Sequence, residues 1–212
     1  RGDGWIATNL HVIAGSTSLE VRLKDGRKFP VVEVVAVDRE RDVAVVRIDA
    51  KKLEPISLGE REVSVGEPVV AIGHPLGLSD TVSDGLVSVL REVREGLQVL
   101  QVSAPIAPGS SGGPLIDRDG KVIGIATAIL REGQNLNFGI PVAYLRTLME
   151  SPEPQSLKAL AASLEPERKL PRVTRAVPKH STSLLMGCGE GDLKELVGGI
   201  VRAIDIGAPL YD

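Results

Sequence analysis

The 212-residue sequence is 42% hydrophobic and 25% charged, the balance of a folded globular chain rather than a disordered or fibrous one. A net charge of −3 points to neither nucleic acid nor another strongly charged partner, and no apolar run reaches the about eighteen residues of a membrane helix. Cys188 is the only cysteine, which excludes an intramolecular disulfide and a cysteine-based zinc site, and aromatic content of 2% leaves the core to Val, Ile, Leu and Ala.

Residues 1–141 read as short strands divided by turns. "WIATNLHVIAG" is an apolar run closed by a turn, which sets His11 at a strand end. Leu19, Val21 and Leu23 alternate with polar neighbours, and Asp25-Gly26 follows as a turn pair. The valine-rich runs 29–37 and 43–48 have the composition of buried strands. Runs 69–72, 86–90 and 97–102 continue the series, and Asp119-Gly120 turns "PLID" back into "KVIGIATAIL" as a hairpin. Many short strands with almost no helical periodicity predict an all-β barrel or sandwich.

From Pro141 the character changes. Val142, Leu145, Leu148 and Met149 predict a short helix. Residues 151–190 carry prolines at 152, 154, 166, 171 and 178 among charged and small residues, the composition of a linker, with one helical turn expected near 157–164. In 191–212, Leu193, Leu196, Val197, Ile200, Val201 and Ile204 recur at helical spacing behind an Asp192/Glu195 capping pair. This is expected to be the first helix of a second, helical domain. The sequence opens on Arg1 and stops at Asp212, and is read as a piece of a longer protein.

Between two strand-like runs lies "APIAPGSSGGPLI", residues 104–116, where Ser110 and Ser111 either close a turn or supply a nucleophile. A serine hydroxyl needs a base to take its proton. His180 lies in the proline-rich stretch and reads as a solvated residue, and His74 in "GHPLG" reads as part of a turn. His11, at the end of its run, can reach a cleft. A base also needs a group that holds its tautomer, and "RERDVAVVRI" offers Asp42 just before a buried strand. A charge at such a boundary is ordinarily a solvated cap. What raises Asp42 is the chain order His, Asp, Ser, which is that of the chymotrypsin-type triad.

"TNLHVI", "RDVAVVRI", "AIGHPLGLSDTVSDGLVS", "GSSGGPLID" and "NFGIPV" occur in the order found in trypsin-like proteases of the HtrA/Deg family, and the chain resembles that family's protease domain over roughly residues 4–148. The resemblance implies a chymotrypsin/trypsin-like double β-barrel in residues 1–150, followed by the linker and the helical segment. It implies a serine endopeptidase acting on unfolded or misfolded proteins and peptides, with Ser111 as nucleophile, His11 as base and Asp42 as its partner. Gly109, Ser110 and Ser111 would form the oxyanion hole, with Gly109 and Ser111 N–H as donors. Losing one such donor costs roughly 2.7–4 kcal/mol, so a peptide flip at Gly109 is enough to silence the site. Pro105 and Ile106 would shape the primary specificity pocket for small or medium aliphatic residues. Ala126, Thr127 and Ala128 would form an edge that pairs with substrate backbone.

The family's pattern needs no metal or organic cofactor, and it implies a homo-oligomer, a trimer or larger, working outside the cytoplasm. Two departures stand out. The family's glycine-rich strand ahead of Gly4 is missing, which leaves the first barrel one strand short with an exposed edge. No PDZ module is evident after residue 150. The competing reading is a catalytically silent protease fold serving as a binding or scaffold module.

Overall fold

The computed structural model describes residues 4–74, 81–127 and 137–164, together with the backbone of the strand Asp205–Ile206. In chain order the elements are β1 (Trp5–Thr8), α1 (Leu10–Ile13), β2 (Glu20–Arg22), β3 (Lys28–Asp38), β4 (Val43–Ile48), β5 (Pro68–Gly73), β6 (Thr81–Arg94) and β7 (Leu97–Val102). They continue as β8 (Pro114–Ile116), β9 (Val122–Thr127), β10 (Asn137–Pro141), α2 (Val142–Glu150), α3 (Leu157–Ser163) and β11 (Asp205–Ile206).

The strands form two antiparallel sheets. The first is open, in the order β1-β4-β3-β2-β11, and the second closes into a barrel, β10-β7-β6-β5-β8-β9. This is the expected all-β double-barrel class, with its first sheet unclosed among the described residues. The valine-rich runs formed strands where their composition placed them, and Asp25-Gly26 and Asp119-Gly120 formed turns. Strand β6 is longer than its apolar stretch suggested, because its exposed half is held by pairing with β7 from Val87 to Arg94.

Strand β4 joins the two halves through its period of two. Ala44, Val46 and Ile48 enter the first core with Ile6, Val21 and Val34. Val43 and Val45, on the opposite face, pack with Phe138, Ile140, Val142 and Leu145 from β10 and α2. A separate cluster fills the closed barrel, built on Val69, Val87, Leu100, Leu115 and Ile123. A strand buried on both faces reads as a continuous apolar run, which is why "VAVVRI" lacks alternation.

After α2 the helical element expected near 157–164 forms as α3, and residues 155–160 dock on the first sheet. Gln155 exchanges two backbone hydrogen bonds of 2.8 Å with Val34 on β3. Ser156 then caps α3 by accepting from the Ala159 N–H at 3.0 Å, and Leu157 and Leu160 enter the first core. Proline at 152 and 154 signalled a break in the helix, but two leucines three places apart after a serine cap dock the seven-residue α3. Asp205 and Ile206 pair with Arg22 and Val21 as a short strand, so these two residues are extended where a helix over 191–212 was expected. The remainder of that helix, and of the linker from 165 on, lies outside the described residues. Among the described residues, no helix is long and apolar enough to cross a membrane.

Docking of α3 has a measurable consequence. Leu160 is 1% exposed. Leu160→Ala in the full chain should lower the unfolding free energy by about 2–5 kcal/mol in urea titrations. A change within about 0.5 kcal/mol, as surface substitutions give, would mean that the segment is no part of the core.

Candidate active site

The chain leaves β1 at Thr8, passes Asn9 in extended conformation (φ −81°, ψ 148°) and makes a single helical turn, α1. Leu10 and Ile13, three residues apart, are buried, and the His11 side chain between them is 48% exposed. The expectation of His11 at a strand end is therefore corrected: it stands on a helical turn. The cause is tertiary. The Asp42 carbonyl accepts from the Leu10 N–H at 3.2 Å and from Asn9 Nδ2 at 2.9 Å, which bends the chain out of the strand.

Asp42 ends the turn 39–42 between β3 and β4, with φ of 56°. Among L-residues, Asp is one of the few that tolerate this left-handed region. Its carboxylate takes the His11 backbone N–H at 2.8 Å on Oδ1 and lies 2.6 Å from His11 Nδ1 through Oδ2. An ionised carboxylate only accepts, so Nδ1 carries the proton in this contact, and in the neutral ring Nε2 is the nitrogen that presents a lone pair. One aspartate thus sets the position, the ring orientation and the tautomer of His11.

The serine turn is built on glycine. Gly109 (φ 94°) and Gly112 (φ 87°) both occupy the left-handed region. Inside the turn, the Ser110 N–H donates to the Ala107 carbonyl at 3.0 Å and the Gly113 N–H to the Ser110 carbonyl at 3.1 Å. Ser110 is 8% exposed and lies against Gly73, where a Cβ would overlap it. A Cβ on Gly112 would overlap the Thr8 hydroxyl and touch the Asn9 N–H. The turn carrying Ser111 therefore rests against the segment that runs into His11, so the structure brings the surroundings of His11, Asp42 and Ser111 together. His74 follows Gly73 at the end of β5, and His180 lies outside the described residues.

Pro105 and Ile106 follow β7. The Ser83 hydroxyl donates to the Pro105 carbonyl at 2.6 Å, the Ile106 N–H donates to Asn137 Oδ1 at 3.0 Å, and Ile106 packs on the closed barrel's core. Ala126 and Thr127, expected to form a substrate edge, have partners within the barrel. β9 is interior to the barrel: the Ala126 N–H donates to the Gly113 carbonyl at 2.7 Å and its carbonyl accepts from the Gly112 N–H at 2.9 Å. Thr127 pairs with Phe138 on β10. Ala128 lies outside the described residues. Asn9, fully buried, was missed by sequence reasoning. A lone asparagine between a strand and a histidine looks like an ordinary cap, and only the fold reveals its bond to a carbonyl 33 positions away.

Two β-sheets packed across a shared strand, with a histidine–aspartate couple where that strand begins and a glycine-built serine turn beside it, define the class of double-barrel serine peptidase folds. The trypsin-like peptidase domain family matches residues 1–125, and the chain belongs to that family, as a member of its HtrA/Deg branch. It is similar to the putative serine protease HhoB of Synechocystis, with 39% identity over 157 residues, covering 70% of this chain and 38% of the relative. A probable periplasmic serine endoprotease, DegP-like, of Halomonas elongata is 42% identical over 147 residues, covering 66% of this chain and 31% of the relative. The crystal structure of the serine endoprotease from Yersinia pestis superposes with a TM-score of 0.64 at 34% identity, covering 71% of this chain and 54% of that one. The chain spans 38% and 31% of the two curated relatives' lengths.

Asn9→Ala removes one of the two donors to the Asp42 carbonyl and leaves a void in the turn. It should lower the unfolding free energy by about 1–3 kcal/mol, read by urea denaturation of the full chain.

Proposed function

We propose that the chain is the catalytic part of a serine endopeptidase that acts on unfolded or misfolded proteins. The observation that carries this reading is the His11–Asp42 couple, which prepares Nε2 to accept a proton beside the glycine turn that bears Ser111. In this reading Nε2 removes the Ser111 hydroxyl proton as Oγ bonds to the scissile carbonyl carbon. The carbonyl oxygen becomes an oxyanion and is received by the N–H groups of Gly109 and Ser111. The Ser110 N–H between them is occupied by the Ala107 carbonyl, which supports this choice of donors.

The carboxylate of Asp42, 2.6 Å from Nδ1, stabilises the imidazolium formed in this step. Collapse of the tetrahedral adduct breaks the C–N bond, and the leaving amine takes the proton from Nε2. Water then attacks the acyl ester, passes its proton to Nε2, and the released serine oxygen recovers it. Only the neutral imidazole can accept the serine proton.

Pro105 and Ile106 carry no charge that would pair with a basic side chain, which supports cleavage after small or medium aliphatic residues. Similarity to a probable periplasmic endoprotease of Halomonas elongata supports action outside the cytoplasm. The family resemblance likewise supports a homo-oligomer, a trimer in the simplest case.

A fluorophosphonate probe tests the core of this reading. The full chain should be labelled once, at Ser111, as located by peptide mass spectrometry. Ser111→Ala should abolish labelling while Ser110→Ala keeps it. Absence of labelling in the parent chain would favour the scaffold reading, and equal loss in both variants would sink the assignment of roles. The specificity expectation is read separately: cleavage sites mapped in an unfolded protein should cluster after Ala, Val, Ile and Leu, and sites after Lys or Arg would overturn it.

A further inference from the structure

The turn 39–42 that ends in Asp42 is held from several sides by residues outside the first sheet. Asp38 organises it internally, its Oδ1 accepting from the N–H groups of Glu40 at 3.1 Å and Arg41 at 3.0 Å. Arg41 Nη1 returns to Asp38 Oδ2 at 2.8 Å, and this bond, more than any other contact, raises the guanidinium's pKa above its ordinary value, against the opposing effect of burial. The same guanidinium lies over the ring of Tyr144 on α2, 4.5 Å from its centroid. The Tyr144 hydroxyl in turn accepts from the Gln98 N–H at 3.0 Å, at the turn of the β6–β7 hairpin. From that hairpin, Arg94 Nη2 donates to the Glu40 carbonyl at 2.6 Å.

These contacts converge next to a strained residue. Asp42 has a positive φ, which an L-residue keeps only where its surroundings over-determine it. Its neighbour Arg41 is the one turn residue whose side chain reaches from the internal Asp38 bonds to the second barrel's helix. If Arg41 lost its seat, the turn could relax to negative φ at Asp42, and Oδ2 would leave Nδ1 of His11. The flat guanidinium suits this task, since it can donate to a carboxylate in its plane while its face stacks on an aromatic ring.

We propose that Arg41, seated on Tyr144, is a positioning residue that holds Asp42 in its left-handed conformation and so keeps the Asp42 carboxylate on His11. Through this contact the order of the β6–β7 hairpin and of α2 is coupled to the geometry of the couple in the first barrel. The inference rests on the catalytic reading of His11 and Asp42, but its primary readout does not require activity.

The test uses the full chain with Arg41→Gln, Tyr144→Leu and Tyr144→Phe. The His11 Nδ1 proton, hydrogen-bonded to Asp42, is followed as a low-field resonance in proton NMR. It should be lost or displaced in Arg41→Gln and Tyr144→Leu, and kept in Tyr144→Phe, which retains the ring face under Arg41. Fluorophosphonate labelling should slow by roughly tenfold to a hundredfold in the first two variants, in the maximal inactivation rate and not in probe affinity, as small misplacements of a reacting group do. In an Asp42→Asn background the same substitutions should cost less than about threefold further, because they act through Asp42.

Tyr144 also packs on the core shared by the two halves, so Tyr144→Leu could unfold the chain. In that event Arg41→Gln, at a partly exposed position in a turn, carries the test, with circular dichroism confirming its fold. An unchanged His11 resonance in folded Arg41→Gln would overturn the proposal, as would fully additive losses in the Asp42→Asn background. If the parent chain does not label, the catalytic reading falls while the resonance still decides the clamp.

Discussion

The grip of Asp42 on residues 9–11 is the contact on which the rest of the structure depends. Through its carbonyl Asp42 bends the chain out of β1, and through its carboxylate it holds both the backbone and the ring of His11. Such a grip needs the peptide unit and the side chain of one residue to point the same way, which the left-handed conformation at 42 provides. The conformation is unfavourable in isolation and persists because the residues on both sides of it are fixed. Asp38 pairs with Val43 across the turn, and Val43 is buried in the core shared by the two halves.

That shared core explains why the site lies where it does. Strand β4 sends alternate side chains into the first core and into the core made with β10 and α2, so neither half can shift without displacing Asp42 at its start. The serine turn belongs to the second barrel, tied to β9 by the reciprocal bonds of Ala126 with Gly112 and Gly113. Its approach to the first half is so close that Gly112 admits no side chain against Thr8. A site divided between two halves keeps its geometry only while their interface is well packed.

Much of this was legible in local patterns. Alternation located β2, a continuous valine-rich run located β4, and the turn pairs located two hairpins, because each depends on neighbours close in the chain. The order of His11, Asp42 and Ser111 within motifs of one protease family pointed to the site. The features that were not legible share a cause. His11 stands on a helical turn because a residue far along the chain bonds to Asn9 and Leu10. The Ala126 N–H and carbonyl bond to Gly113 and Gly112 because the serine turn folds back on β9. Within residues 151–164 the helical turn near 157–164 was legible, but its docking was not, because it depends on a backbone pair that Val34 offers to Gln155 and on room in the first core for Leu157 and Leu160.

The sequence by itself therefore determined the class of fold, the strands and their turns, and which histidine, aspartate and serine are candidates, since periodicity, turn chemistry and motif order are properties of neighbours along the chain. Tertiary structure alone decided how those residues are held: the one-turn helix under His11, the left-handed Asp42, the buried Asn9 and the stacking of Arg41 on Tyr144. Each of these is a hydrogen bond or contact between residues far apart in the chain. Its geometry exists only once loop-closure entropy has been overcome by the packing of both halves around β4.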